Sequence, residues 1–326
     1  MRPSLGCLLA DSLDYAGMFP PAELPLETAL RNYLDYQRRE HSWFLGRFVC
    51  PAKGLSELAG LLPLLPPDSR LRVSVLGQSQ EPSAEWFAAL EADLAAMKRL
   101  CAEHGERVRV DYYEAPLPRD ALALDPVALT VLLNRVRERF EAAGMSRLSV
   151  FLETRRWWEL LQAIGEAAQL FSNEGDEGIR FGWKIRAGGS EPCDFPAASA
   201  VAHLIAGCRD ARLPWKATAG LHEPLRAIDR QLNVFRFGFL SLIAAAVLAQ
   251  VHNLTAAQIQ PILEETHADR FRFSDSGFSW QTITANRDQI AAARDRSMVS
   301  FGSCSFAEPI EGLERLKLLE GVAGHD

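Results

Sequence analysis

Lys184 and Lys216 occupy corresponding places in two successive strand-like runs, Phe181-Gly182-Trp183-Lys184-Ile185-Arg186 and Trp215-Lys216-Ala217-Thr218-Ala219. Side chains of a strand alternate between its two faces, so the apolar set marks one face and the residues between mark the other. Phe181, Trp183 and Ile185 define an apolar face, as do Trp215, Ala217 and Ala219. Lys184, Arg186, Lys216 and Thr218 are then left pointing into the sheet's enclosed side. Enclosed cations cost several kcal/mol unless paired or wetted, so they require anionic partners, either carboxylates of the chain or a substrate anion. An amine beside a second ammonium has its pKa lowered, and a neutral lysine adds to a carbonyl to give an imine. Lys216 is the expected nucleophile, because Thr218 and the Gly220-Leu221-His222 turn leave room for a carbonyl. Lys184 is its expected electrostatic partner, and Glu153 or His222 the proton carrier.

The other candidates surround this pair. If Ser149, Phe151, Glu153 and Arg155 share a face, Glu153 meets Lys184 across neighbouring strands; a Glu–Lys–Arg network that merely lines the interior is the structural alternative. Arg186, with the backbone N–H groups around Gly302 and Ser303, would hold the anion. Thr218, Arg155, Gly188 and Gly189 join the expected substrate contacts. Arg47 interrupts an apolar run, and its face is ambiguous between site and rim. Cys304 has no evident base to activate it and reads as a small core residue. His222, Glu114, Glu153 and Asp275 stand near strand ends without HxH or HExxH spacing, so neither a metal nor another cofactor is expected.

Short β-branched or aromatic runs that alternate with helical periodicity must position these residues. Eight runs qualify: Trp43–Val49, Leu71–Leu76, Val108–Tyr113, Leu148–Glu153, Phe181–Arg186, Trp215–Ala219, Phe271–Ser274 and Val299–Ser303. Between them Ala84–His104, Pro126–Ala143, Trp157–Phe171 and Ala197–Ala211 read as helices. The first strand leads into Val49-Cys50-Pro51-Ala52 rather than a glycine-rich phosphate loop, which favours a closed α/β barrel, (βα)8, over an open doubly wound sheet. A single domain of residues 1–326 follows, with an N-terminal loop and helix over 1–42 and a helical insertion over 225–267. Barrel helices run antiparallel to the strands, so the loop Asp14–Pro21, which feeds a helix from about Leu26, should overhang the face where strands end, either as a proline-rich plug that packs Tyr15 and Phe19 on the barrel rim or with Tyr15 meeting substrate.

Composition narrows the function classes. With 35 basic against 42 acidic residues the net charge is −7, so no general basic field attracts nucleic acid. The most apolar stretch, Val234–Val251, contains Arg236, Ser241 and Gln250 and reads as a buried helix rather than a membrane span. Six scattered cysteines without a CxxC pair, and a start that lacks a basic-then-apolar leader, point to reduced thiols in the cytoplasm. A homo-oligomer is compatible with the sequence, which does not require one.

The segments Lys184–Gly189 and Lys216–Gly220 resemble the paired-lysine strands of deoxyribose-phosphate-type class I aldolases. In that family one lysine forms a Schiff base and the other lowers its pKa. The whole chain also resembles a set of uncharacterised bacterial proteins with matching segments at Asp14–Ala22, Lys184–Gly189, Lys216–His222 and Phe301–Pro309. The paired-lysine resemblance implies a lyase that acts on a small phosphorylated or carboxylated carbonyl metabolite; the alternative is a regulatory barrel that binds an anionic metabolite without turnover.

Overall fold

The structure is a computed structural model that describes residues 2–123, 125–154 and 178–319. Seven strands, β1 (Leu13–Tyr15), β2 (Leu45–Pro51), β3 (Leu71–Leu76), β4 (Val108–Pro116), β5 (Ser149–Glu153), β6 (Arg180–Arg186) and β7 (Trp215–Thr218), run parallel around a closed barrel. Among the described residues five further strands lie outside it: a hairpin of β8 (Ala227–Asp229) and β9 (Val234–Arg236), and an antiparallel sheet of β10 (Phe271–Phe273), β11 (Gly277–Trp280) and β12 (Ile283–Asn286). β13 (Met298–Ser303) closes the barrel between β7 and β1. The architecture is a TIM-like (βα)8 barrel.

Two elements differ from the pattern expected of the sequence. Phe271–Ser274 is not a barrel strand; its β10 pairs antiparallel with β11, register Phe271 to Trp280. The missing barrel strand is β1, a three-residue run that overlaps the start of the loop-like Asp14–Pro21 segment. The excursion between the last two barrel strands also contains more than the two helices expected over 225–267. It opens with the β8–β9 hairpin and continues through Phe239–His252, Ala256–Leu263, the antiparallel sheet and Arg287–Arg294. The expected helix Trp157–Phe171 and the candidate Arg155 lie outside the described residues.

Local sequence accounts for the helices that clad the barrel. Ser83–His104 buries Trp86, Phe87, Leu90, Leu94, Met97 and Leu100, a stripe at helical spacing that packs on the sheet. Pro126–Ala142 begins where Asp125 Oδ1 accepts the N–H of Ala128 at 2.8 Å, with Pro126 where no N–H is needed. Phe239–His252 is buried from Phe239 through Ala249, the signature of a core helix. Among the described residues no helix is long and apolar enough to cross a membrane.

The barrel's lower interior is filled by aromatic rings and a closed ionic plug. Arg47 Nε lies 3.1 Å from Asp111 Oδ2, and Arg72 Nε 2.8 Å from the same oxygen. A register shift between β3 and β4 leaves Asp111 without a paired residue, and this bulge changes the phase of β4 so that Tyr112 and Glu114 turn toward the barrel axis. Gly182 on β6 makes room for Phe151: a Cβ there would stand 2.4 Å from Phe151 Cε1 and 2.8 Å from the Pro214 carbonyl oxygen. Gly182→Ala should therefore destabilise by about 1–3 kcal/mol through overpacking. The readout is a lower urea midpoint with an unchanged m-value; an unchanged midpoint would refute the close approach.

Candidate active site

The floor of the barrel mouth is a ladder of alternating charges contributed by five strands. Asp14 on β1 accepts a hydrogen bond from Lys216 Nζ at 2.6 Å and one from Ser300 Oγ at 2.6 Å, both at Oδ2. Its Oδ1 takes the backbone N–H of Arg47 at 2.9 Å. Lys216 also donates to Glu114 Oε1 at 2.5 Å, an oxygen that accepts the Ser74 hydroxyl as well. Glu114 Oε2 then pairs with Lys184 Nζ at 2.9 Å, and Lys184 Nζ lies 2.9 Å from Glu153 Oε2. Glu114 thus bridges the two lysines, which sit side by side in the β6–β7 register.

The two lysines are held differently. Lys216 has 1% of its side chain exposed, makes two short hydrogen bonds, and lies 5.0 Å from the Tyr112 ring centroid and 5.6 Å from that of Phe151. Lys184 is 7% exposed and pairs with Glu114 Oε2 and Glu153 Oε2, each at 2.9 Å. Burial alone would lower the pKa of each ammonium, but the facing carboxylates overcome it. Glu114 and Glu153 hold Lys184 above its ordinary value, and Asp14 and Glu114 do the same for Lys216. Burial would likewise raise Glu114, yet the two ammoniums and the hydrogen bonds from Lys216 and Ser74 hold it well below the usual carboxylate range.

Above this floor opens a cavity of about 540 Å³, reached by both lysines and by Glu114. Its wall is divided by chemistry. Ala16, Phe19, Pro20, Pro21, Val49 and Leu76 make an apolar sector at the ends of β1 to β3. Arg186, Thr218, His222 and Arg236 make a cationic, polar one at the ends of β6 and β7 and on the hairpin, beside Gly302, Ser303 and Cys304 of the β13 end. His222 Nδ1 lies 2.6 Å from Glu308 Oε2. Burial pushes the Cys304 thiol up, so it is not an activated nucleophile.

The mouth therefore collects Lys184, Lys216, Arg186, Thr218, His222, Gly189, Gly302 and Ser303, with Glu153 one contact behind Lys184. Three expected residues fall elsewhere. Tyr15 faces the helices, edge-on to Tyr36 with centroids 5.3 Å apart and its hydroxyl 3.5 Å from Asn32 Nδ2. The strand that contains it turns Asp14 inward instead. Arg47 belongs to the ionic plug under the floor, 4.2 Å over the Tyr112 ring. Gly188 packs beneath Phe195 rather than at the cavity, a Cβ there being 2.7 Å from Phe195 Cε1. The Asp14–Pro21 loop does overhang the mouth that holds His222, as the helix direction requires.

The sequence patterns above do not assign Asp14 or Glu114 to the lysines, and do not bring Arg236 to the site. Each acid has a local signal: Leu13-Asp14-Tyr15 and Tyr113-Glu114-Ala115 both place a carboxylate between apolar residues, the same alternation that locates the lysines. Among the described residues no group of three or more His, Cys, Asp or Glu is placed to hold a metal ion. No family model, no curated protein and no solved structure matches this chain.

Proposed function

We propose that the protein is a lyase-type enzyme that binds an anionic carbonyl compound in the barrel mouth and forms an imine with it through a lysine of the Lys184–Lys216 pair. The observation that carries the reading is the pairing itself: two adjacent lysines, bridged by Glu114, open onto a cavity with a cationic wall. The sequence alone favours Lys216 as the nucleophile; the geometry favours Lys184. Each lysine is paired with two carboxylates, but Lys216 is 1% exposed against 7% for Lys184, so Lys184 needs the smaller displacement to meet a carbonyl in the cavity.

In this scheme the Lys184 ammonium first gives a proton to Glu153, 2.9 Å away and partly exposed, which passes it on to solvent. Away from water the neutral amine and carboxylic acid lie closer in energy to the ion pair than they do in solvent, which makes that transfer accessible. The amine adds to the carbonyl carbon, and the carbinolamine loses its hydroxyl as water with a proton returned by Glu153 or His222. The resulting iminium can accept the electron pair of a breaking carbon–carbon bond, while a base takes the proton of the β-hydroxyl group. Arg186 and the β13 end would hold the anion away from the reacting carbon.

The test is borohydride reduction in the presence of small aldehydes, keto acids and phosphorylated ketones, read as the intact-mass gain of a reduced secondary amine. Adduct with at least one carbonyl class is the expected result. A second reading has its own support, because both ammoniums are fully paired at rest: a barrel that binds the anion without turnover. Saturable binding of anions with no adduct from any carbonyl would favour it.

A further inference from the structure

Arg236 comes to the mouth from the β8–β9 hairpin, and its surroundings fix it there. Asp229 on β8 accepts the backbone N–H groups of Gln231 at 2.8 Å and Leu232 at 3.1 Å through Oδ1, and pairs with Arg236 Nη2 through Oδ2. The Arg236 guanidinium carbon lies 6.0 Å from the Phe195 ring centroid. Phe195 in turn packs on Gly188 and Gly220 at the tips of β6 and β7, so the hairpin's arginine is seated on the barrel rim. Its Nε is buried and has no hydrogen-bond acceptor among the described residues. Arg186 lines the same cavity, is exposed, and has no carboxylate partner within ion-pairing distance among the described residues.

The geometry points to a phosphate monoester site formed jointly by Arg186 and Arg236, with the β8–β9 hairpin as its specificity element. This rests on the mouth being a substrate site, and it names the substrate class as phosphorylated. Asp229 cancels one of the two positive charges but occupies only one edge of the Arg236 fork. Arg236 thus keeps oriented donors, while Arg186 supplies the net charge. A guanidinium pair of this kind matches the several acceptor oxygens and double charge of a phosphate monoester better than the two oxygens and single charge of a carboxylate. The apolar sector of Phe19, Pro20, Val49 and Leu76 then faces the carbon portion of the ligand.

The experiment is calorimetric titration of the full chain with inorganic phosphate and, separately, with acetate; neither probe requires imine chemistry. Wild type should bind phosphate more tightly than acetate. Arg236→Gln should weaken phosphate about tenfold or more, the loss expected for a charge-assisted hydrogen bond, and should change acetate little. Arg236→Lys should recover only part of the loss, because it keeps charge but not the fork. Asp229→Asn, which frees the arginine from its support, should weaken phosphate by a smaller factor. Thermal unfolding of each variant shows that the fold is retained. Unchanged phosphate affinity in Arg236→Gln, equal losses for both anions, or no saturable phosphate binding by wild type in the millimolar range would each overturn the assignment. If phosphate behaves as expected but no carbonyl is trapped, the imine reading fails and the phosphate site stands. If phosphorylated ketones are trapped with the same concentration dependence in wild type and Arg236→Gln, the phosphate site fails alone.

Discussion

Lys184→Met should abolish reductive trapping of every carbonyl that labels the wild type, and peptide mapping should place the wild-type adduct on Lys184. The expectation follows from how the two amines are tethered. A nucleophile must leave its resting partners and approach a carbon at about 3 Å, and Lys184, the more exposed of the two amines, does so by giving up ion pairs at 2.9 Å. Lys216 would have to abandon Asp14 and Glu114 together, deeper in the barrel. Lys216→Arg, which keeps a cation between those carboxylates, should leave trapping detectable. The pH dependence discriminates further. Because Glu114 and Glu153 raise the Lys184 pKa, the neutral fraction grows about tenfold per pH unit throughout the neutral range, and the trapping rate should climb without reaching a plateau there. A plateau near neutrality would mean that the neighbouring ammonium dominates instead. Adduct mapped to Lys216, or trapping that survives Lys184→Met, would return the nucleophile's role to Lys216.

The fold is legible where strands carry alternating patterns of five or more residues. Period-two parity places Lys184, Arg186, Lys216 and Thr218 inward from sequence alone, because Trp183, Ile185 and Trp215 leave no doubt about the outer face. It fails for β1, where three residues at the start of a proline-rich loop give too short a pattern, and the failure carries Tyr15 into the candidate site in place of Asp14. Phe271–Phe273 has the residue types of a strand, and it is one; nothing local says whether a strand pairs within the barrel or with a neighbouring hairpin. Glu114 is obscured by the bulge at Asp111, since one extra residue inverts the parity of everything after it. Arg236 lies in a stretch so apolar that it reads as the start of the buried helix, whereas the helix begins only at Phe239. Pairings between charges on distant strands, such as Asp14 with Lys216, depend on barrel closure and have no local signature.

Glu114→Gln should make the protein less stable and its amine more reactive, two effects of opposite consequence from one carboxylate. Glu114 is the shared counter-charge of both ammoniums, and its replacement leaves Lys184 with Glu153 and Lys216 with Asp14 while removing the negative charge between them. Breaking a buried pair costs about 3–5 kcal/mol; here each lysine keeps one partner, so the lower end, about 3 kcal/mol, is the expected loss in urea unfolding at neutral pH. The sign of its pH dependence is fixed by the depressed carboxyl. In the wild type Glu114 contributes stability above its unfolded pKa of about 4.3 and loses it as pH falls through the lower folded value. The stability gap between wild type and variant should therefore be full above about pH 4.3 and narrow below it. At the same time the two ammoniums, now unscreened from one another, should acquire lower pKa values, so the rise of trapping with pH should shift to lower pH in the variant. A gap that is independent of pH would mean that the amide substitution disturbs packing rather than charge. A trapping profile that does not move would mean that Glu114 does not control the state of Lys184.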